Sequence, residues 1–139
     1  MAAGTPVVDE MIANGERLFG HAAEIPSEDF LRLFRAGAGS AYGTPADLPE
    51  DLLHGIELLK RERPSWEAEI PTEALAAAGF PILVLSGGHS PAFEAVCDSL
   101  AESLSARREV IRGRGHTVPS TGALYNERLE SFMSRAESA

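Results

Sequence analysis

The feature that most constrains the fold is a pair of short strand-like segments, because the chain has only two of them. Residues 81–85 (PILVL) form a continuous apolar run that Ser86, Gly87 and Gly88 close, and residues 109–111 (EVI) precede a second glycine-rich loop. A short continuous apolar run is typical of a strand buried on both faces of a parallel sheet. Two parallel strands alone leave edges and faces uncovered, so we expect these two to belong to a larger sheet.

A helix is predicted after each strand. Residues 91–104 place their apolar side chains on one stripe, with Ser90 as the predicted N-cap and Pro91 at the first helical position. Leu124 and Met133 belong to the apolar stripe of a final helix. The order is therefore β-α-β-α, with a right-handed crossover expected between the two parallel strands.

Helical spacing of apolar residues dominates the first 79 positions instead. The pattern predicts helices that begin at Pro6, at Ser27 as an N-cap, near Leu52 and near Thr72, with Pro64 ending the third helix. We therefore expect an α/β protein in which a helical, cap-like region precedes the β-α-β-α unit.

The charge follows the same division. Residues 1–79 contain 14 acidic and 6 basic side chains, whereas residues 80–139 contain 7 and 6. The net charge of −9 disfavours a nucleic-acid partner, which needs a basic surface.

The single cysteine, Cys97, excludes an internal disulfide, and no metal or cofactor site is predicted. The apolar runs are too short to cross a membrane and no secretory signal is visible, so a cytoplasmic protein is expected.

His116 is the strongest candidate for chemistry. An imidazole titrates near neutral pH, which makes histidine the usual general base. His116 lies in the loop RGRGHTVP, directly after the second strand, and open α/β sheets place functional groups at the carboxyl ends of their strands. His21 and His54 lie in helical contexts without a neighbouring acid or nucleophile, so we expect surface or packing roles for them.

Residues 80–135 resemble the last two β-α units of an α/β-hydrolase. The matching segments are FPILVLSGG, SPAFEAVCDSLAESL, EVIRGRGH and TVPSTGALYNERLESFM, and the last strand of that family ends in Gly-His, here Gly115 and His116. The resemblance implies that His116 is the catalytic histidine. It also implies that residues 1–79 correspond to the cap inserted before the penultimate strand.

Four further residues are candidates for substrate binding. His89 and Ser90 follow the first strand, Tyr42 lies in the small-residue loop after the second helix, and Trp66 follows the third helix. A structural role is an equal alternative for His89, Ser90 and Tyr42. Packing is the simpler interpretation of Trp66, because a tryptophan buries a large apolar area.

Two parts of a hydrolase site are missing from the pattern. The family's nucleophile turn, G-x-S-x-G, is absent; the nearest match is Gly88-His89-Ser90-Pro91-Ala92, in which the residue after serine has no N–H for an oxyanion hole. The loop after the first strand also has no carboxylate before Glu94, which is a poor substitute for the orienting acid because it lies one helical turn further on.

We therefore expect the C-terminal part of an α/β-hydrolase-like enzyme. It would supply the catalytic histidine and a cap for a small apolar ester-like substrate. It would be inactive without the N-terminal half of the enzyme. The chain would then be a fragment, the product of a truncated reading frame or one half of a split enzyme. The alternative is a non-catalytic interaction module in which a second copy of the chain completes the sheet. A dinucleotide site is disfavoured because Ser86-Gly87-Gly88 lacks the G-x-G-x-x-G spacing.

Overall fold

The computed structural model describes residues 4–39 and 47–138, of which 62% are helical. The protein is a mixed α/β structure with a small two-stranded parallel sheet. Its main elements are α1 (Pro6–Gly20), α2 (Ser27–Gly37), α3 (Glu50–Leu59), α4 (Thr72–Ala77), β1 (Leu83–Ser86), α5 (Pro91–Ser103), β2 (Arg107–Val110) and α6 (Ala123–Ala136).

The two predicted strands exist and are parallel, but their bounds differ from the prediction. Leu83 pairs with Arg107 and Ser86 pairs with Val110, so β2 begins two residues before the apolar segment that predicted it. Backbone hydrogen bonds determine where a strand begins, and Arg107 donates its N–H to the carbonyl of Ile82 at 2.9 Å. A charged residue is tolerated there because the Arg107 side chain stays exposed.

The helices of the first region pack around Phe30, which is fully buried. Ala22, Leu31 and Ile56 complete this core, so α1, α2, α3 and the turn after α1 share one apolar centre. The ring of Phe19 meets that of Phe30 edge to face at a centroid distance of 5.5 Å. Aromatic rings prefer this geometry because the positive edge of one faces the negative face of the other.

Two helix ends differ from the prediction. Ser27 is not the N-cap of α2: Pro26 occupies that position in an extended conformation, and Ser27 is the first helical residue, whose hydroxyl donates to Glu57 of α3. α3 ends at Leu59, five residues before Pro64. A residue that precedes a proline is disfavoured in helical geometry, and the chain leaves the helix through a turn well ahead of it.

The two regions contact each other through α1 and α5, which pack together. The predicted boundary between residues 79 and 80 falls in the loop between α4 and β1. At the other end of the chain α6 packs mainly on the turn Val118–Thr121, and it leaves Leu124 and Met133 exposed. Among residues 4–39 and 47–138 there is no helix with the length and apolar character that crossing a lipid bilayer requires.

Candidate functional site

The loops that follow β1 and β2 meet at one edge of the sheet. Parallel strands end on the same side, and Ile111 donates its N–H to the carbonyl of Ser86 at 2.8 Å just beyond the last strand pair. The backbones then come so close that a Cβ atom on Gly87 would lie 1.9 Å from the carbonyl oxygen of Gly115. The contact is possible because Gly87 has no side chain.

Glu94 fixes the loop after β1 from the first turn of α5. Its carboxylate accepts hydrogen bonds from Ser86 Oγ at 2.6 Å and from the Gly88 N–H at 2.9 Å, and it pairs with Arg108 Nη2 of β2 at 2.6 Å. Burial alone would raise the pKa of the Glu94 carboxyl, but the three donated hydrogen bonds outweigh it, and the pKa lies below its ordinary value. Glu94 is thus an anchor of the loop.

Three aromatic rings form a cluster where the two loops meet. His89 stacks on Phe93 at a centroid distance of 5.3 Å, and the ring of Phe93 lies 4.8 Å from that of His116. The two imidazoles lie 5.8 Å apart, with their planes inclined by 73°. The structure therefore brings together two histidines that are 27 positions apart in the sequence, and a phenylalanine contacts both.

The ring of His89 is held by the first region of the chain. Its Nε2 lies 3.1 Å from the carbonyl oxygen of Ala38, just after α2. The approach is close enough that a Cβ atom on Gly39 would lie 2.7 Å from Cδ2 of the imidazole. The other ring nitrogen, Nδ1, is buried and has no hydrogen-bond partner among the residues that the structure describes.

His116 faces an environment that favours its neutral form. Burial of the imidazole lowers its pKa, and the neighbouring His89 lowers it further, because a second positive charge nearby would repel the first. The residue as a whole remains exposed. A neutral imidazole at physiological pH has a free lone pair and can accept a proton.

A cavity of about 880 Å³ opens beside this cluster. α1, α2, the start of α5 and the turn that contains Trp66 form its walls, and His116 lies on its surface. Glu10 and Arg17 of α1 are its charged lining residues. The apolar side chains of the lining include Val7, Met11, Leu18, Phe19, Leu33, Phe34, Phe93 and Trp66.

The structure brings several of the predicted site residues together. His116, Ser90 and Trp66 line the cavity, and His89 contacts His116 from the adjoining ring cluster. Ser90 occupies the predicted N-cap position of α5, but its hydroxyl makes no capping hydrogen bond. Tyr42 lies outside the residues that the structure describes.

Trp66 packs against α1 and also lines the cavity. Its ring meets that of Phe19 edge to face at 5.8 Å, and it lies so close to α1 that a Cβ atom on Gly15 would come within 2.3 Å of Cη2. Packing against α1 therefore positions the indole, and the same indole forms one wall of the cavity.

Phe93 and the carbonyl of Ala38 are contacts that sequence reasoning missed. Phe93 belongs to the apolar stripe predicted for residues 91–104, and its position in the first helical turn after the loop was the available signal. No sequence signal marks Ala38, because its contribution is a backbone oxygen. Both contacts depend on how α1 and α2 approach the sheet.

Within the ranges 4–39 and 47–138, no group of three or more histidine, cysteine or carboxylate side chains could hold a metal ion. The polar groups of the cavity lining include the imidazoles of His21 and His116 and the hydroxyls of Ser65 and Ser90, and the ring of His89 adjoins that of His116. This set is suited to accepting a proton and to binding an uncharged ligand. Comparison with protein-family models, with curated proteins and with solved structures finds no match to this chain.

Proposed function

We propose that this chain forms the histidine-bearing and substrate-binding part of an α/β-hydrolase-like enzyme that hydrolyses a small apolar ester-like substrate. The observation on which this proposal rests is the position of His116, which lies in the loop after β2, a strand that ends at Val110, and lines an apolar cavity. The resemblance of residues 80–135 to the last two β-α units of that family supports the same function, because Gly115 and His116 match the family's Gly-His pair.

The chemistry assigned to His116 is that of a general base. The imidazole accepts the proton of a hydroxyl or thiol nucleophile while the nucleophile attacks the ester carbonyl, and it then gives this proton to the departing alcohol. A water molecule next attacks the acyl intermediate, transfers a proton to the imidazole and releases the acid, and the proton returns to the nucleophile. The lowered pKa of His116 suits this role, because the base must be neutral before it can accept a proton.

The cavity argues for an apolar and uncharged substrate. A volume of about 880 Å³ is large enough for a small organic ligand, and most of its lining side chains are aliphatic or aromatic. Transfer of a charged group from water into such a lining is costly. The excess of 14 acidic over 6 basic side chains in residues 1–79 also disfavours an anion.

The nucleophile of the proposed enzyme is supplied by a separate polypeptide segment. The sequence has no G-x-S-x-G turn, and Pro91 follows the only serine in the loop after β1. β1 and β2 pair with each other and with no other strand of the described residues, so each has one edge without a strand partner there. An added strand on such an edge would satisfy its backbone N–H and C=O groups.

The first experiment tests the cavity with a phenyl alkyl ketone, which has the shape of an apolar ester but cannot be hydrolysed. We expect its titration to shift the NMR signals of the His116 ring and to change the fluorescence of Trp66, which is the single tryptophan of the chain. Signals that stay unchanged up to the solubility limit of the ketone would contradict the proposal.

Two matched variants show whether the ketone binds in the cavity. Leu33 of α2 lines it and Leu58 of α3 does not, while both side chains are exposed. Leu33→Lys is expected to weaken binding about tenfold, because the ammonium loses hydration next to an apolar ligand, whereas Leu58→Lys leaves it unchanged. Equal effects of the two substitutions would place the ligand elsewhere.

The second experiment tests the need for a separate nucleophile. The purified chain and its His116→Ala variant are expected to hydrolyse p-nitrophenyl esters at the same rate, because a general base without a positioned nucleophile gains no proximity advantage. A wild-type rate that clearly exceeds that of the variant would show that the chain contains its own nucleophile.

A second candidate function is a non-catalytic interaction module in which two copies pair. The observations that favour it are the free strand edges and the exposed apolar side chains of Val110, Leu124 and Met133 in β2 and α6. Size-exclusion chromatography with light scattering separates the two candidates. A stable species of twice 14.8 kDa supports the module, whereas a monomer excludes it.

A further inference from the structure

The imidazole of His89 has a fixed tautomer. Its Nε2 lies 3.1 Å from the carbonyl oxygen of Ala38, and a carbonyl oxygen only accepts hydrogen bonds. Nε2 is therefore the donor to this oxygen, and in the neutral form of the ring the lone pair is on Nδ1. The close approach of Gly39 and the stacked ring of Phe93 hold the imidazole in this orientation.

The lone pair on Nδ1 is buried without a donor. No residue that the structure describes gives it a hydrogen bond, and water does not reach the atom from outside. A buried polar atom without a partner costs free energy, and few such atoms occur in native structures. A hydrogen-bond donor within reach of Nδ1 would satisfy this atom.

The charged side chains around the ring cluster are engaged elsewhere or lie across the cavity. Glu94 and Arg108 pair with each other, and Arg112 donates to the carbonyl of Gly88 at 2.8 Å. Glu10 and Arg17 of α1 belong to the cavity lining. None of them is hydrogen-bonded to either imidazole in the described structure.

The ring of His116 is the neighbour with a suitable donor. Its centroid lies 5.8 Å from that of His89, and the two planes cross at 73°, so the edge of one ring faces the other. Two imidazoles joined by an N–H···N bond of about 3 Å have centroids roughly 5 Å apart. The observed centroid distance exceeds that separation by less than about 1 Å.

We propose that His89 is a positioning residue for His116. The lone pair on Nδ1 of His89 accepts a ring N–H of His116, and this hydrogen bond fixes which nitrogen of His116 faces the cavity. This inference deepens the proposed function and rests on it for its catalytic meaning. An orienting carboxylate has the same geometric role in a histidine-dependent hydrolase. An imidazole lone pair differs from a carboxylate because it brings no negative charge, so it orients the ring of His116 without stabilising the charged form of that ring.

Long-range ¹H–¹⁵N NMR of the labelled chain, without any substrate, tests the proposal because it reports the tautomer of each imidazole. In the wild type near pH 8 we expect His89 to be protonated at Nε2 only and His116 to be a single tautomer. A His89 ring protonated at Nδ1 would overturn the inference.

Two substitutions at one position separate orientation from packing. His89→Phe keeps a ring against Phe93 but removes the lone pair, so His116 is expected to become a mixture of both tautomers. His89→Asn offers a side-chain oxygen near the position of Nδ1 and is expected to restore the single tautomer. His54→Phe on α3 is the control and leaves His116 unchanged.

A His116 tautomer that is the same in wild type and His89→Phe would overturn the proposal. Circular dichroism and Trp66 fluorescence verify that each variant is folded, and His89→Asn remains informative if His89→Phe unfolds. The experiment also distinguishes the two proposals: the tautomer measurement needs no ligand, whereas the ketone titration of the cavity needs no particular tautomer.

Discussion

A Cβ atom added to Gly87 would lie 1.9 Å from the carbonyl oxygen of Gly115 and 2.8 Å from its carbonyl carbon. The loops after β1 and β2 therefore touch through their backbones. His89 and His116 follow these two glycines in the sequence, and their rings are 5.8 Å apart. The close approach of the two loops depends on the absence of a side chain at Gly87.

Gly87→Ala is expected to destabilise the protein, because the new methyl group collides with backbone that cannot rotate away. The free energy of unfolding should fall by about 2 kcal/mol or more, measured by urea denaturation. Gly37→Ala is the matched control: Gly37 ends α2 with open space around it, so stability is expected to stay the same or rise slightly. Equal stability of the two variants would show that the loops separate easily.

Glu94→Gln is expected to lower the free energy of unfolding by about 1–3 kcal/mol, because the charge that pairs with the half-buried Arg108 is lost. Asp98→Asn is the control. Asp98 contacts the same guanidinium at 2.9 Å, but its side chain is 67% exposed, so we expect an effect below about 0.5 kcal/mol. An equal loss in both variants would contradict the assignment of Glu94 as the loop anchor.

Gly15→Ala tests the wall that Trp66 forms. Alanine favours a helix by about 1 kcal/mol over glycine, but here its Cβ would lie 2.3 Å from Cη2 of the indole. We expect the clash to displace the ring, shift Trp66 fluorescence to longer wavelength and reduce stability by about 1 kcal/mol. Gly55→Ala in α3 meets no atom within 4 Å and should stabilise the protein by about 0.5–1 kcal/mol without a fluorescence change.

The pH dependence of stability reports on His116. Its pKa is lower in the folded protein than its ordinary value near 6.5, so just below that pH the unfolded chain binds more protons than the folded chain. The free energy of unfolding is therefore expected to fall as the pH is lowered from about 7.5 to 5.5. Urea denaturation across this pH range should show a smaller decrease in the free energy of unfolding for the His116→Gln variant than for the wild type. A fall that is identical in wild type and His116→Gln would exclude this contribution, and the exposed His54→Gln is the control.

Local patterns predicted most of the helices and both strands. Pro6 and Pro91 begin α1 and α5 as expected, because the fixed φ of proline fits the first helical turn and its missing N–H is not needed there. The bounds of β2 were predicted less well, since the apolar run marked residues 109–111 whereas the strand begins at Arg107. Backbone pairing, which apolar patterning does not report, determined that start.

For the candidate site, the sequence alone determined which chemistry was available: a histidine after a strand, a glycine beside it, and no nucleophile turn. Only the tertiary structure decided that His116 lies against Phe93 and His89, and that Nε2 of His89 lies next to the carbonyl oxygen of Ala38. The physical reason is that these contacts join segments separated by tens of residues. Spacing along the chain predicts the neighbours within a helix or strand, whereas the approach of α1 and α2 to the sheet depends on how their buried faces pack.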